Sequence, residues 1–212
     1  TGINPPYDVN AIVEIPQGGL PVKYEMDKES GALFVDRFLH TAMFYPGNYG
    51  FIPHTLADDG DPCDILVVGP TPVVPGCVVR CRPIGALMMR DEAGGDEKIL
   101  AVPVSKIFSG YAHVEDIAQV SSHWLERIGH FFEHYKDLEK NKWVKLDGFG
   151  NAADNPKHAT PGDDPEHHPR ARDGRAPRGA HRAHARLQCR DGRRDAHACA
   201  SHLRRVGQRG RG

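Results

Sequence analysis

The sequence lacks a long uninterrupted apolar run. Pro70, Pro72 and Pro75 break the longest candidate, which therefore falls short of the roughly 20 apolar residues that a membrane-spanning helix needs. The first residues also lack the pattern of a secretion signal, in which a basic stretch is followed by an apolar stretch and then by small residues. We therefore expect a protein that does not enter a membrane and that works in the cytoplasm.

Cysteine is scarce as well. The five cysteines are an odd number at irregular spacing, which argues against a disulfide framework and for reduced thiols. The sequence also contains no P-loop. The segment closest to a dinucleotide-binding turn, residues 148–153, continues into Asp154-Asn155-Pro156 instead of a helix, which excludes a nucleotide cofactor.

Charge and apolar content divide the chain into two parts. Residues 1–156 carry a net charge of −9, whereas residues 157–212 carry +8. The second part has no Phe, Tyr, Trp, Ile or Met, and its only large aliphatic residues are Leu187, Leu203 and Val206. So few apolar side chains cannot offset the entropy that is lost on ordering. We therefore expect one folded domain over residues 1–156 and a disordered, basic, low-complexity tail over residues 157–212.

The first part has the apolar pattern of a mainly β domain. Short apolar segments separated by Gly and Pro are typical of strands. Apolar residues at spacings of three and four predict an amphipathic helix from Ser122 to Glu139, with a stripe that runs from Trp124 to Leu138. These elements predict an α+β fold, mainly β, in which the helix packs on a small barrel. The predicted strands are residues 11–15, 21–26, 32–38, 64–68, 77–90, 97–102 and 143–146.

Three carboxylates, Asp59, Asp61 and Asp64, lie close together in a turn that Gly60 and Pro62 shape. Two carboxylates ~4 Å apart repel by roughly 4 kcal/mol at an effective dielectric of 20, so such a cluster needs a cation or a protonated member. Ligation by carboxylate oxygens alone favours Mg²⁺ or Mn²⁺ over zinc. An acidic surface turn without a metal is the alternative that this motif by itself leaves open.

A second acidic group, residues 91–98, is predicted to form a hairpin that turns at Gly94-Gly95. Cross-strand neighbours share a face, so alternate residues of this hairpin should project together. One face would then present two metal ligands beside a phosphate-binding cation, whereas a solvated, charged hairpin tip is the alternative. The residues predicted on that face are Asp91, Asp96 and Lys98, and those predicted to point away are Glu92 and Glu97.

Further polar residues are compatible with a site but do not indicate one by themselves. Single charges on half-buried strands usually belong to the solvated face, and a Tyr beside a Lys at a helix end is usually the edge of the core. Two tyrosines in a Gly/Pro loop are more suggestive, because their hydroxyls could reach an anion. The strand residues are Glu14, Lys23 and Glu25, the loop residues are Tyr45 and Tyr49, and the helix residues are Tyr135 and Lys136.

Six short motifs follow one another along the first part of the chain. They are Lys-Tyr-Glu at 23–25, Asp-Arg-Phe at 36–38, Phe-Tyr-Pro-Gly-Asn-Tyr-Gly at 44–50, Asp-Gly-Asp-Pro-Cys-Asp at 59–64, Asp-Glu-Ala-Gly-Gly-Asp at 91–96 and His-Tyr-Lys-Asp-Leu at 134–138. In identity, order and spacing they resemble the family I soluble inorganic pyrophosphatases of bacteria, over residues 1 to about 156. One position departs from the family pattern, because Cys63 replaces the usual aliphatic residue, but it is not a ligand position.

The resemblance implies a reaction, a cofactor and an assembly. The reaction would be hydrolysis of pyrophosphate to two phosphates by direct attack of a metal-activated water. The cofactor would be Mg²⁺, with several ions in each active site and Mn²⁺ as a substitute. The fold would be a five-stranded OB-like closed barrel, and the protein would be a homo-oligomer, commonly a hexamer in bacteria.

The resemblance also implies a role for each candidate residue. Asp61 would accept the proton of the nucleophilic water, and Tyr45 would support the pocket. The metal ligands would be Asp59, Asp64, Asp91 and Asp96, with Glu14 and Glu25 acting through metal-bound water. The phosphate oxygens would be bound by Lys23, Arg37, Tyr49, Lys98, Tyr135 and Lys136.

Two other functions fit parts of the sequence. A small barrel with a basic tail also suits a nucleic-acid-binding protein, but the charge of −9 on residues 1–156 would repel a phosphate backbone. A different metal-dependent phosphohydrolase is the nearer alternative.

The basic tail has two open explanations. From Lys157 the family pattern stops, where members of the family would have a final helix, so the domain lacks that helix. A shifted reading frame in a GC-rich coding sequence would explain the change, and so would a nucleic-acid-binding arm. If neither of the other two frames of the coding DNA encodes an amphipathic helix after Ala153, the frameshift explanation should be dropped.

Overall fold

The computed structural model describes residues 1–57 and 60–152 of the chain. Asp59 and the predicted tail at 157–212, which stands where the family would have its final helix, lie outside the described residues. Within the described ranges the chain forms nine strands and one α-helix. They are β1 (Val9–Ile15), β2 (Val22–Met26), β3 (Leu33–Phe38), β4 (Asn48–Phe51), β5 (Asp64–Val67), β6 (Val78–Asp91), β7 (Gly94–Gly95), β8 (Lys98–Pro103), α1 (Ser122–His134) and β9 (Val144–Asn151).

Five strands close into a ring of backbone hydrogen bonds. β1 pairs with β4, β4 with β5, β5 with β8, β8 with β6, and β6 with β1 again. The ring closes through the long strand β6, whose first half pairs with β1 while its middle pairs with β8 and its second half with β9. β2 and β3 form a separate two-stranded sheet. This mainly β architecture with a single described α-helix confirms the predicted fold class.

The central strands are buried on both faces. In β5, Ile65 and Val67 pack into one apolar cluster, while Leu66 packs into a second cluster on the opposite face. Every residue of β8 is buried. A strand that is covered on both sides reads as a continuous apolar run, which is why these segments could be predicted from composition.

Helix α1 covers the second cluster. Ile128, Phe131 and Phe132 are each 2% exposed or less, and they pack against residues of β5, β6 and β8. The helix ends at His134, before the predicted end at Glu139, and Leu138 is 69% exposed. The prediction that Leu138 continues the apolar stripe is therefore wrong, because the chain leaves the helix at Tyr135 and turns.

Two of the nine described strands are absent from the predicted set: the two-residue β7, which replaces the predicted turn at Gly94-Gly95, and β4. The sequence predicts a Gly/Pro loop at β4, since Gly and Asn are poor strand formers. In the structure β4 pairs with both β1 and β5. These neighbouring strands stabilise an extended conformation that the residues of β4 do not favour by themselves.

Within the described ranges no helix is both long and apolar enough to cross a bilayer. Two cysteines in these ranges, Cys77 and Cys81, are free thiols. Cys63 lies in an apolar cluster and is 5% exposed, in keeping with a position that does not bind a ligand.

Candidate active site

A pocket of about 410 Å³ opens where the two-stranded sheet, the ring and the segment after α1 meet, and its size lies within the usual range for small-molecule sites. It collects all the predicted metal, phosphate and catalytic residues that the structure describes. They are Glu14, Lys23, Glu25, Arg37, Tyr49, Asp61, Asp64, Asp91, Asp96, Lys98, Tyr135 and Lys136. Tyr45 does not line the pocket but lies buried behind it, with its ring 5.4 Å from that of Tyr49.

Lys98 forms the charged floor of the pocket. Asp64 and Lys98 are the first residues of the parallel neighbours β5 and β8, so the pairing of these strands brings the two side chains together. The Lys98 ammonium donates to Asp64 Oδ2 at 2.5 Å and also to Asp96 Oδ1. Burial opposes the charge on Lys98, yet the two carboxylates raise its pKa above the usual value.

A second ion pair lies on the side of the pocket formed by the end of β6. Lys136, which is 7% exposed, donates to Asp91 Oδ2 at 2.7 Å. Burial alone would raise the pKa of Asp91, but the hydrogen bonds from Lys136 and from the backbone N–H of Ala93 hold it below its usual range. Glu92 lies next to this pair, 3.9 Å from the Lys136 ammonium, and accepts a hydrogen bond from Lys142.

The hairpin at residues 91–98 differs from its predicted register. Asp91 pairs with Gly94, so the turn residues are Glu92 and Ala93, and Lys98 pairs with Leu87. The turn shifts because Asp91 Oδ1 accepts from the N–H of Ala93, as an Asp that opens a turn commonly does, while the glycine follows with a positive φ. The predicted convergence of Asp91, Asp96 and Lys98 on one pocket is confirmed, although Asp91 is bonded to Lys136 and not to Lys98. The prediction that Glu92 points away is wrong, since it lines the pocket.

The β2–β3 sheet supplies two cations. Lys23 and Arg37 are cross-strand neighbours, which places both on the same side of this sheet. Asp36 Oδ2 accepts from Arg37 Nη1 at 2.7 Å and lies 3.5 Å from the Lys23 ammonium. Lys23 also donates to Glu25, so the cations of this wall are held by carboxylates in the same way as Lys98 and Lys136.

Glu14 is the most deeply buried acid of the pocket, at 8% exposure. It stands near the end of β1, and its Oε1 accepts from the N–H of Met26 at 2.7 Å. Burial raises the pKa of Glu14 to about 7, and the hydrogen bond from Met26 only partly opposes this rise. Near neutral pH this carboxyl is therefore present in both its protonated and its ionised form.

The tyrosines are neutral hydrogen-bond donors. Burial raises the pKa of Tyr49 and of Tyr135 well above the usual value, and nearby aspartates add to the rise. Tyr49 belongs to β4 and not to a loop, which corrects its predicted setting. Both hydroxyls stay protonated across the physiological range, so they can donate to an anion.

The acidic turn contributes residues with different surroundings. Asp61 is exposed over 72% of its side chain and pairs with Lys28 at 2.9 Å, whereas Asp64 is one-third exposed and pairs with Lys98. Sequence reasoning missed Lys28 and Lys142, which line the pocket from the turn after β2 and from the loop before β9. Neither stands in a pattern that distinguishes it from an ordinary surface lysine.

In residues 1–57 and 60–152, no three His, Cys, Asp or Glu side chains are grouped closely enough to hold a metal ion. Asp59, a predicted ligand, is not in these ranges. Asp64 and Asp96 converge on one point, where the Lys98 ammonium lies between them. Their hard carboxylate oxygens suit Mg²⁺ or Mn²⁺, so the chemistry of the donor set fits such a cation.

The chain is similar to proteins of known type. Residues 11–159 match the family model described as inorganic pyrophosphatase. The inorganic pyrophosphatase of Xanthomonas campestris is 70% identical over 154 residues, which are 73% of this chain and 86% of the relative. The one of Caulobacter vibrioides is 71% identical over 150 residues, or 71% of this chain and 85% of the relative. The structure of an inorganic pyrophosphatase from Coxiella burnetii matches with a TM-score of 0.68 at 53% identity, covering 72% of this chain and 89% of that one.

The pocket and these similarities define the protein as an enzyme of the hydrolase class. Its carboxylates and cations are those expected of an enzyme that handles a phosphorylated substrate. The chain belongs to the inorganic pyrophosphatase family.

Proposed function

We propose that the protein hydrolyses inorganic pyrophosphate to two phosphates, with Mg²⁺ as its cofactor. The observation that carries this proposal is the composition of the pocket, in which six Lys and Arg side chains alternate with seven Asp and Glu side chains among the described residues. A small, highly charged anion needs the cations, and the surplus of carboxylates suits divalent metal ions that arrive with it. Membership of the pyrophosphatase family supports the same substrate.

The candidate site residues would have two kinds of role, phosphate binding and cation binding. Lys23, Arg37, Lys98 and Lys136 would bind phosphate oxygens and stabilise the charge on the departing phosphate, with Tyr49 and Tyr135 as neutral donors. Asp59, Asp64, Asp91 and Asp96 would hold the cations directly, and Glu14 and Glu25 would do so through water.

Proton transfer would fall to Asp61. Bound Mg²⁺ would neutralise pyrophosphate and lower the pKa of the attacking water. Asp61 lies at the open side of the pocket, where an incoming water has access, and its carboxylate would accept the proton of that water. Direct attack of the water requires no covalent intermediate.

The test is a comparison of substrates and metals. Phosphate release from pyrophosphate should far exceed release from ATP or from a phosphomonoester, and EDTA should abolish it, while Mn²⁺ should restore part of it. Asp8→Asn, a change outside the pocket, is the matched control and should keep the activity. Equal turnover of a phosphomonoester would instead indicate a general metal-dependent phosphatase.

We also propose that the protein works in the cytoplasm as a homo-oligomer, a hexamer by resemblance to the bacterial family. The free thiols of Cys77 and Cys81 agree with a reducing compartment. Phe44, 54% exposed beside a groove against α1, offers apolar area for self-association. Light scattering of the purified chain would give the number of subunits, and a monomer would contradict the proposed assembly.

A further inference from the structure

Glu139 is a buried carboxylate that stands behind the pocket. It follows the helix in the turn that carries Tyr135 and Lys136, and its side chain is only 12% exposed. Its Oε2 lies 3.4 Å from Nε of Arg37, yet Glu139 itself is not among the residues that line the pocket. Its carboxylate therefore faces Arg37 from the side away from the space where a substrate would bind.

Arg37 is held between two carboxylates. Asp36 accepts from Nη1 at 2.7 Å, and Glu139 stands against Nε. Burial would lower the pKa of Arg37, but Glu139 and then Asp36 raise it above the usual value. A guanidinium has five N–H donors, so two contacts on one side leave others for an anion in the pocket.

The contact between Arg37 Nε and Glu139 Oε2 is an ion pair but does not have the geometry of a hydrogen bond. Within the described part of the chain, Arg37 Nε and Glu139 Oε1 are buried without a hydrogen-bond partner. Buried polar atoms of this kind cost stability, so a purely structural contact would be better served by a well-formed pair or by an apolar side chain. The Asp8–Arg80 pair is such a well-formed contact: its side chains are similarly exposed, at 18% and 36%, and its hydrogen bonds include one of 2.7 Å.

The position of Arg37 depends on contacts of this kind. β2 and β3 are hydrogen-bonded as a sheet only to each other in the described ranges, so backbone pairing does not tie Arg37 to the ring. The Glu139 contact joins this sheet to the segment that bears Tyr135 and Lys136. His40 Nδ1 also lies 3.3 Å from the carbonyl oxygen of Leu138, so the separation of these two walls of the pocket does not rest on Glu139 alone. What Glu139 adds is its contact with the guanidinium of Arg37.

We propose that Glu139 is a positioning residue: it orients the guanidinium of Arg37 so that its unoccupied N–H groups face a phosphate group of the substrate. The inference rests on the proposed function, in which Arg37 binds phosphate. Glu139 touches neither the substrate nor its metals and acts through Arg37.

The test is a double-mutant cycle with Glu139→Gln and Arg37→Ala, measured with magnesium pyrophosphate. Glu139→Gln keeps the shape but removes the charge, so KM should rise about tenfold, as expected for lost binding, while kcat should fall less than it does in Arg37→Ala, which also loses the charge that stabilises the departing phosphate. In the Arg37→Ala background, Glu139→Gln should have no further effect, since a residue that acts through Arg37 needs it. The control Asp8→Asn should leave both kinetic constants unchanged.

Several outcomes would overturn the inference. An unchanged KM in Glu139→Gln would do so, and so would an equal loss in both backgrounds, which indicates a structural role. Circular dichroism and melting curves check folding, and if Glu139→Gln does not fold, Glu139→Asp replaces it in the same cycle, with the same rise in KM expected from its withdrawn carboxylate. Absence of pyrophosphate hydrolysis in the unmodified protein would instead refute the proposed function, a result distinct from any of these.

Discussion

Asp61 and Asp64 are close in sequence and alike in chemistry, but the fold gives them different surroundings. Asp61 is largely exposed and pairs with the surface residue Lys28, whereas Asp64 shares the buried ammonium of Lys98 with Asp96. An exposed carboxylate can exchange its partner for water, while a carboxylate at a shared cation position is suited to ligation. The roles that the family resemblance implies, Asp61 as base and Asp64 as metal ligand, are compatible with this difference.

Asp61→Asn and Asp64→Asn should therefore have different effects on turnover and on magnesium affinity. Asp61→Asn removes the proton acceptor, so turnover should fall by about 10²–10⁴-fold while magnesium affinity changes little. Asp64→Asn should weaken magnesium binding as well, and added magnesium should recover part of its turnover. Calorimetric magnesium titration and phosphate release on both variants make the comparison. Rescue of Asp61→Asn by magnesium as fully as of Asp64→Asn would show that Asp61 acts as another ligand.

Glu14 predicts a pH dependence of stability in the metal-free protein. Because the folded state holds its proton up to a pH of about 7, against 4.5 for a free Glu, the free energy of unfolding should fall as the pH rises through that interval. Since one pKa unit is worth 1.36 kcal/mol, the loss is at most roughly 3 kcal/mol.

Glu14→Gln should remove this part of the pH dependence. Urea unfolding in EDTA at pH 5 and pH 8 measures it, with Glu97→Gln, an exposed residue, as the control. If the wild type and Glu14→Gln lose equal stability between the two pH values, Glu14 is not the group that titrates.

At the scale of elements, β4 depends on a glycine. A Cβ at Gly50 would lie 1.8 Å from the carbonyl oxygen of Ile12 in the neighbouring strand β1. These strands bear Tyr49 and Glu14, so their close approach also sets one wall of the pocket. The short segment is a strand because its neighbours, and not its own residues, favour that conformation.

Gly50→Ala should push β1 and β4 apart. We expect a loss of about 3 kcal/mol or more, as for other overpacked sites, and a drop in Tm of about 6–12 °C. Gly95→Ala is the control, because a Cβ there meets nothing within 4 Å. Thermal melts by circular dichroism compare the two variants, and equal Tm values would mean that the strand pair yields without cost.

At the scale of the whole molecule, the domain is acidic and concentrates charges of both signs in one pocket. Residues 1–156 carry a net charge of −9, and seven described carboxylates line a single cavity. The six cations beside them offset part of this repulsion, but the excess of acids leaves the folded state short of positive charge. A divalent cation would supply it.

Mg²⁺ should therefore stabilise the fold. At a concentration a hundred times its Kd, a ligand that binds only the native state adds about 2.7 kcal/mol. Differential scanning calorimetry in EDTA and in millimolar Mg²⁺ would measure the rise in Tm, which should be smaller for Asp64→Asn. An unchanged Tm in the unmodified protein would argue against a preformed metal site.

Much of the fold could be predicted because periodicity is local. Strands such as β5 and β8 have continuous apolar runs, and α1 has its apolar stripe within one segment of chain. The predicted end of α1 lies too far along the chain, because Leu138 suits a helical stripe but the chain turns at Tyr135 and brings Lys136 to Asp91. Such an endpoint depends on a distant partner, which periodicity does not report.

The site, like the fold, has features that the sequence predicts and features that depend on distant partners. The sequence by itself determined which residue types gather, since the acidic turn, the acidic hairpin and the family motifs are contiguous stretches that carry their chemistry with them. Only the tertiary structure decided which residues form ion pairs: Lys98 with Asp64, Lys136 with Asp91, and Glu139 with Arg37. Ion pairs between residues far apart in sequence follow from strand register and from the path of the chain after α1. These depend on the packing of the whole domain, so no single segment contains the information.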